Sequence, residues 1–121
     1  MSTPLLAESV VGADKFICAT VVQEICASDQ PCTDGGPSWN TSIPEFLEID
    51  LKKKTVSTTE ASGEKRSSKV ELILDGGLIV MHGFERGKAF VIVVNESTGV
   101  ATASVTADGE VISVFSTCTP K

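Results

Sequence analysis

Four groups of residues in this chain have types and spacings suited to chemistry. The first is the set of cysteines: Cys18, Cys26, Cys32 and Cys118. An even number of cysteines in a short chain reads as two disulfides made in an oxidising compartment. A zinc site is a poor alternative, because there is no C-x-x-C pair and His82 is the only imidazole. Four cysteines allow three pairings, and spacing alone selects none of them. The preferred pairing is Cys26–Cys32 with Cys18–Cys118. The first bridge would close a short loop through Asp29-Gln30-Pro31. The second would tie the first strand to the last, which suits a sheet that closes on itself.

The second group is His82 with the hydroxyls. A nucleophilic hydrolase needs a base beside its nucleophile. His82 ends an apolar stretch just before Gly83, no G-x-S-x-G elbow is present, and no particular Ser or Thr is singled out. A strand-end histidine with its polar edge in water is the simpler reading. Third, Ser62-Gly-Glu-Lys65 matches S-x-x-K, but it lies in a polar stretch without the companion S-D-N and K-T-G motifs. Fourth, Glu48 and Asp50 share one face of a strand and so form a carboxylate pair. Acid–base work or calcium would need further oxygens, for which Glu71 and Asp75 are the nearest in pattern; a solvated face is the preferred reading. Asp34-Gly35-Gly36 and Asp75-Gly76-Gly77 are turns rather than phosphate loops. No catalytic residue, metal or cofactor is expected.

Binding is better served. Trp39 stands in a polar loop, either as a plug over one end of a barrel or as an anchor for a partner, a role in which Trp is enriched. A hairpin tip at Gly83–Gly87 carries Phe84, Glu85 and Arg86, which complete the candidate surface. Lys52-Lys53-Lys54 with Lys65, Arg66 and Lys69 make a basic cluster in an acidic chain. That cluster would meet an acidic partner or a lipid head group, or more simply blunt an edge strand. Asn40-Thr-Ser42 and Asn95-Glu-Ser97 are glycosylation sequons where the source glycosylates.

Composition bounds the object that must carry these residues. With 121 residues, one domain is expected, and 41% apolar content is enough for a core. Sixteen acidic against ten basic side chains leave a net charge of −6, the wrong sign for a nucleic-acid binder. No run approaches the ~18 apolar residues of a membrane-spanning helix. Residues 1–13 lack a basic n-region, so they are not a proper signal peptide, although Val11-Gly12-Ala13 fits the small-residue pattern of a cleavage site. They are read as the tail of a leader or as an ordered N-terminal arm, ahead of a single β domain over 14–121.

From Lys15 onward the pattern is β-rich and punctuated. Residues 15–26 are apolar on both parities, as in a strand buried on both faces. Residues 27–44 read as a long loop. Residues 45–52 alternate, with Leu47, Ile49 and Leu51 inward, and 53–57 continue that strand after a bend. The stretch 59–68 is polar and reads as a hairpin loop. Further strands fall at 70–74, 78–82, 88–95, 99–106 and 110–118, joined by Gly-bearing connections of hairpin size. Strand 88–95, apolar on both faces, should be central. Ala101, Ala103 and Val105 offer a face of small residues that would let a barrel taper or leave a cavity. Consecutive strands so joined pair antiparallel. The expectation is an all-β meander of about seven strands, forming a small disulfide-stapled barrel or half-barrel.

The run GKAFVIVVNESTGVATASVTADGEVISVFSTCTP, with the first Cys-bearing strand and FLEIDLKKKTV, resembles small exported bacterial β-meander proteins of unknown function. In that group an apolar strand, an N-x-x-T-G turn, a small-residue strand, a D-G turn and a closing V-F-x-x-C-T segment follow in order. The resemblance covers about 15–120 and implies export and fold; it carries no catalytic residue across. The function expected is a non-catalytic binding module, periplasmic or secreted, a monomer or weak dimer that inhibits or assists another exported protein. The alternative is a calycin-like barrel that carries a small apolar ligand, although no G-x-W opening precedes the first strand.

Overall fold

The computed structural model describes residues 7–34, 45–59 and 65–121. Trp39, Ser62 and the sequon at Asn40 lie outside them. The described residues form nine strands: β1 (Lys15–Ala27), β2 (Gln30–Asp34), β3 (Phe46–Asp50), β4 (Thr55–Thr58), β5 (Ser67–Asp75), β6 (Leu78–Glu85), β7 (Lys88–Asn95), β8 (Val100–Ala107) and β9 (Glu110–Pro120). Every pairing is antiparallel. The order runs β1-β3-β4-β5-β6-β7-β8-β9 and returns to β1, so eight strands close a barrel, and β2 is added outside it on β1.

The fold class is as the sequence indicates, but the strand count is higher. The basic stretch after β3 is a reversal, not a bend: Lys54 takes a left-handed φ of 54°, and β4 turns back onto β3 with Val56 opposite Ile49. Asp50 supports the turn by accepting the Lys53 N–H at 3.0 Å. The long loop also conceals β2. Its residues are exposed throughout, so no burial pattern marks it. The Cys26–Cys32 bridge clamps it to β1.

β1 is not buried on both faces. Phe16, Cys18 and Thr20 point inward; beyond a bulge at Val21 the inward set becomes Gln23 and Ile25. One extra residue inverts the parity of everything after it, which is why both parities read apolar. Val21 is 61% exposed. The bulge also marks a change of neighbour. Before it β1 pairs with β3, and after it with β2. β7 likewise has an open outer face, with Val91 at 43% exposure; in a closed barrel each strand shows one face to the outside.

The two ends of the barrel differ. At one end, Phe16, Ile49, Ile79, Met81 and Val94 form the core, each 2% exposed or less. Residues 7–13 cross this end as an arm, and Val10 is buried within the same cluster. The arm is held by Glu8 N–H to the Cys118 carbonyl (3.0 Å) and Val10 N–H to the Glu96 carbonyl (2.8 Å). Gly99 makes that crossing possible. It has φ +77°, and a Cβ there would run into the Glu8 and Cys118 carbonyls. Cys18 and Cys118 face each other across the closing ladder and are bridged. The pairing is therefore Cys18–Cys118 and Cys26–Cys32, with no free cysteine. Two disulfides fit an oxidising compartment. Among the described residues, no helix is long and apolar enough to cross a membrane.

Candidate functional site

Among the described residues, the opposite end of the barrel is not filled. A cavity of about 280 Å³ opens there. Its walls are apolar: Leu47 and Val56 from β3 and β4, Phe90 and Ile92 from β7, Ala103 and Val105 from β8, Val114 from β9. Hydroxyls of Thr20, Thr58, Ser68 and Ser116 interrupt them. Arg66, Glu85, Arg86 and Lys88 complete the lining. A pocket with an apolar body and a few convergent polar groups is the usual form of a small-molecule site.

The cavity arises from residue size. On β8 the inward positions are Ala101, Ala103 and Val105, where the closed end uses Ile, Met and Phe. Ala101 is 3% exposed in the core, while Ala103 and Val105 are only partly buried and face the void. The small-residue face read in the sequence thus does leave a cavity. Phe90 makes one wall because its cross-strand neighbour is Gly83. A Cβ on Gly83 would lie 2.7 Å from Phe90 Cζ and 3.0 Å from the Lys69 carbonyl. Glycine there lets the ring lie against bare backbone.

The mouth is organised by Glu85. One carboxylate oxygen accepts from Arg66 Nη1 at 2.9 Å, the other from Ser68 Oγ at 3.0 Å. Arg66 is positioned in turn by its backbone, since its N–H donates to the buried Thr58 hydroxyl at 2.6 Å. Arg86 and Gly87 form the tight β6–β7 turn, both with positive φ (52° and 79°). That geometry is the two-residue hairpin turn compatible with strand twist.

The structure divides the candidate hairpin tip. Glu85 and Arg86 line the mouth, whereas Phe84 points outward and is 69% exposed. Ser68, Lys88 and Phe90 belong to the mouth and were not singled out from sequence, because they come from strands separated by a loop or turn; Arg66 was read only as part of the basic cluster. The basic cluster splits: Lys53, Lys54 and Lys69 meet at the β3–β4 turn and the start of β5, while Arg66 goes to the cavity. Lys52 pairs with Asp14 at 3.2 Å beside the arm, and Lys69 Nζ donates to the Lys53 carbonyl at 3.4 Å. Arg66 alone of the cluster reaches the cavity lining.

The other constellations resolve into structure. Glu48 accepts from Lys121 Nζ at 2.6 Å, and this hydrogen bond holds its carboxyl below the ordinary carboxylate range. Asp50 is lowered too, chiefly by the Lys53 N–H, with Lys15 4.0 Å away. His82 is exposed on the outer face, with Glu71 and Val91 as its cross-strand neighbours, and no hydroxyl stands opposite it. Asn95 caps its own turn, accepting from Ser97 N–H at 3.1 Å and Ser97 Oγ at 2.8 Å. Among the described residues, one trio of potential metal ligands converges: Glu24, Cys26 and Cys32. Two of its members are spent in the disulfide. Comparison with protein-family models, curated proteins and solved structures gives no match.

Proposed function

We propose that the protein is an exported, non-catalytic binding module whose barrel holds a small, mainly apolar molecule. The observation carrying this reading is the cavity of about 280 Å³, closed beneath by a packed core and walled by apolar side chains. A space of about 280 Å³ stands near the small end of the range for small-molecule pockets, about 300–1,000 Å³. Two disulfides and the resemblance to exported β-meander proteins support export to the periplasm or beyond. The carrier reading is preferred to a purely protein-binding role because Glu85 and Arg86 of the expected surface line the mouth of this cavity.

The test is calorimetric titration with 1-octanol, a neutral eight-carbon probe. Saturable one-to-one binding with a negative heat-capacity change is expected. Ala103→Leu places a larger side chain in the cavity and should abolish binding while leaving the melting temperature close to that of the parent. The absence of saturable octanol binding to the parent, or undiminished binding to the filled variant, overturns the reading.

A further inference from the structure

Phe84 stands on the outside of the barrel, away from the cavity, and it belongs to a larger outer face. On β6 to β9 the outward residues are the even positions of 78–84, the odd of 89–95, the even of 100–106 and the odd of 111–117. None of them is Lys, Arg, Asp or Glu, although the chain has 16 acidic and 10 basic side chains. Leu78, Phe84, Val91, Val100, Val111 and Phe115 are the large apolar residues exposed there. Register joins the strands into one surface. Val80, Val93, Thr102, Phe115 and Val22 are successive cross-strand partners over β6, β7, β8, β9 and β1. Charge stands at the borders of this face and behind it. Lys69 and Glu71 are exposed on β5 and Glu24 on β1; Glu48 and Asp50 on β3 pair with Lys121 and Lys15. The outer face of an antiparallel sheet is ordinarily polar. A contiguous apolar patch rimmed by polar groups marks an interaction site.

We infer that this face is where two copies of the chain meet, as a weak two-fold dimer. The inference does not depend on the cavity reading. Each copy carries a net −6, so like charge opposes approach wherever the surface is charged. The β6–β9 face has no charge to oppose its own copy, and depletion of charge marks the centre of an interface. Two-fold pairing sets the same patch of each copy against the other, centred near Val93 and Thr102. A strongly charged partner would find nothing on this face to pair with. An anionic bilayer would find no Lys or Arg to meet its head groups. The size fits as well. Four strands about 4.8 Å apart, with outward residues spread over about 24 Å, cover roughly 500 Å² per copy. Two copies then bury on the order of 1,000 Å², the lower bound for a specific interface. A convex barrel offers little more, so the association is weak.

The experiment is sedimentation velocity on the intact, oxidised chain, from micromolar to millimolar concentration, at low and moderate salt. A reversible monomer–dimer equilibrium is expected. Dimer should increase with salt, because screening relieves the repulsion between two copies of net −6. Thr102→Lys sets two like charges near each other at the centre of the pair. It should weaken the dimer by about tenfold or more, even though it lowers the net negative charge. Thr102 is exposed, so the melting temperature should stay close to that of the parent. Phe115→Thr removes an exposed ring from the same face without adding charge, and should weaken the dimer by about tenfold. Thr55→Lys is the control. It adds the same charge on β4, which lies opposite β8 in the eight-strand order, and should not weaken the dimer. A single monomeric species throughout overturns the inference. So does a dimer that neither face variant weakens, or one that Thr55→Lys weakens equally. A monomer that floats with neutral phosphatidylcholine vesicles also overturns it, assigning the face to lipid.

Discussion

Cutting the two disulfides separately should produce unequal losses of stability. Cys18–Cys118 spans 100 residues and Cys26–Cys32 spans 6. In the loop-closure account, a cross-link removes unfolded-state entropy in proportion to the logarithm of the loop it closes. That gives about 4.7 kcal/mol for the long loop and about 2.2 kcal/mol for the short one at 25 °C. The long bridge also sits where the barrel closes, with both sulfurs buried, so Cys18→Ala with Cys118→Ala leaves a small void as well. The bridge to β2 lies at the partly exposed end of β1 and leaves no comparable void. The gap between the two double variants should therefore be at least ~2.5 kcal/mol. At about 4 °C per kcal/mol this is ~10 °C in melting temperature. Urea unfolding of both variants beside the parent is the assay. Native domains hold only about 5–15 kcal/mol, so the Cys18/Cys118 variant can be largely unfolded at room temperature. Equal losses, or a greater loss from the Cys26/Cys32 variant, would refute the reasoning that the terminal-strand bridge acts by closing the barrel's longest loop.

Four further outcomes follow from particular contacts. Val10→Ala should cost about 2–3 kcal/mol by denaturant unfolding, since it removes two buried methyl groups and leaves a void. Gly99→Ala should expose amides of the arm to hydrogen exchange, because a Cβ there meets the Glu8 carbonyl; an arm still protected in that variant would contradict the crossing described. Gly83→Ala should cost about 1–3 kcal/mol by forcing Phe90 aside, and should weaken octanol binding in the same calorimetric assay. Glu48 and Asp50 have folded pKa values below their ordinary 4.5 and 3.8. Their contribution to stability is thus complete above those values and is lost as pH falls through the folded ones. Glu48→Gln should flatten the melting-temperature profile in that acid range, and an unchanged profile would show that the Lys121 contact contributes nothing in solution.

Much of the architecture was legible in local patterns. Asp-Gly and Asn-x-x-Thr-Gly turns fell where the structure has its hairpins, and the alternation that placed Leu47 and Ile49 inward named the inward face of β3. These signals are short-range: a turn's φ angles and a strand's parity are settled within a few residues. Where a feature depended on a distant partner, local pattern failed. β2 has no buried residue, so nothing in its composition separates it from a loop; its pairing comes from the neighbouring strand and a disulfide. β4 read as a continuation of β3 because a reversal through three lysines has no Gly or Pro to announce it, and Lys54 adopts positive φ instead. β1 read as doubly buried because a bulge at Val21 swaps its inward parity.

The sequence by itself determined an antiparallel all-β chain with an even set of cysteines, because hairpin-length connections forbid parallel crossovers and β-branched strands need partners. Only the tertiary structure decided that the sheet closes, since closure joins β1 to β9 across nearly the whole chain. Only it decided where the cavity lies. Small side chains on β8 become a void when their opposite neighbours on β3, β4 and β7 fail to fill the space, and that depends on register around the whole barrel. The charged mouth has the same origin: Arg66, Glu85, Arg86 and Lys88 are brought together when adjacent hairpins end on one rim.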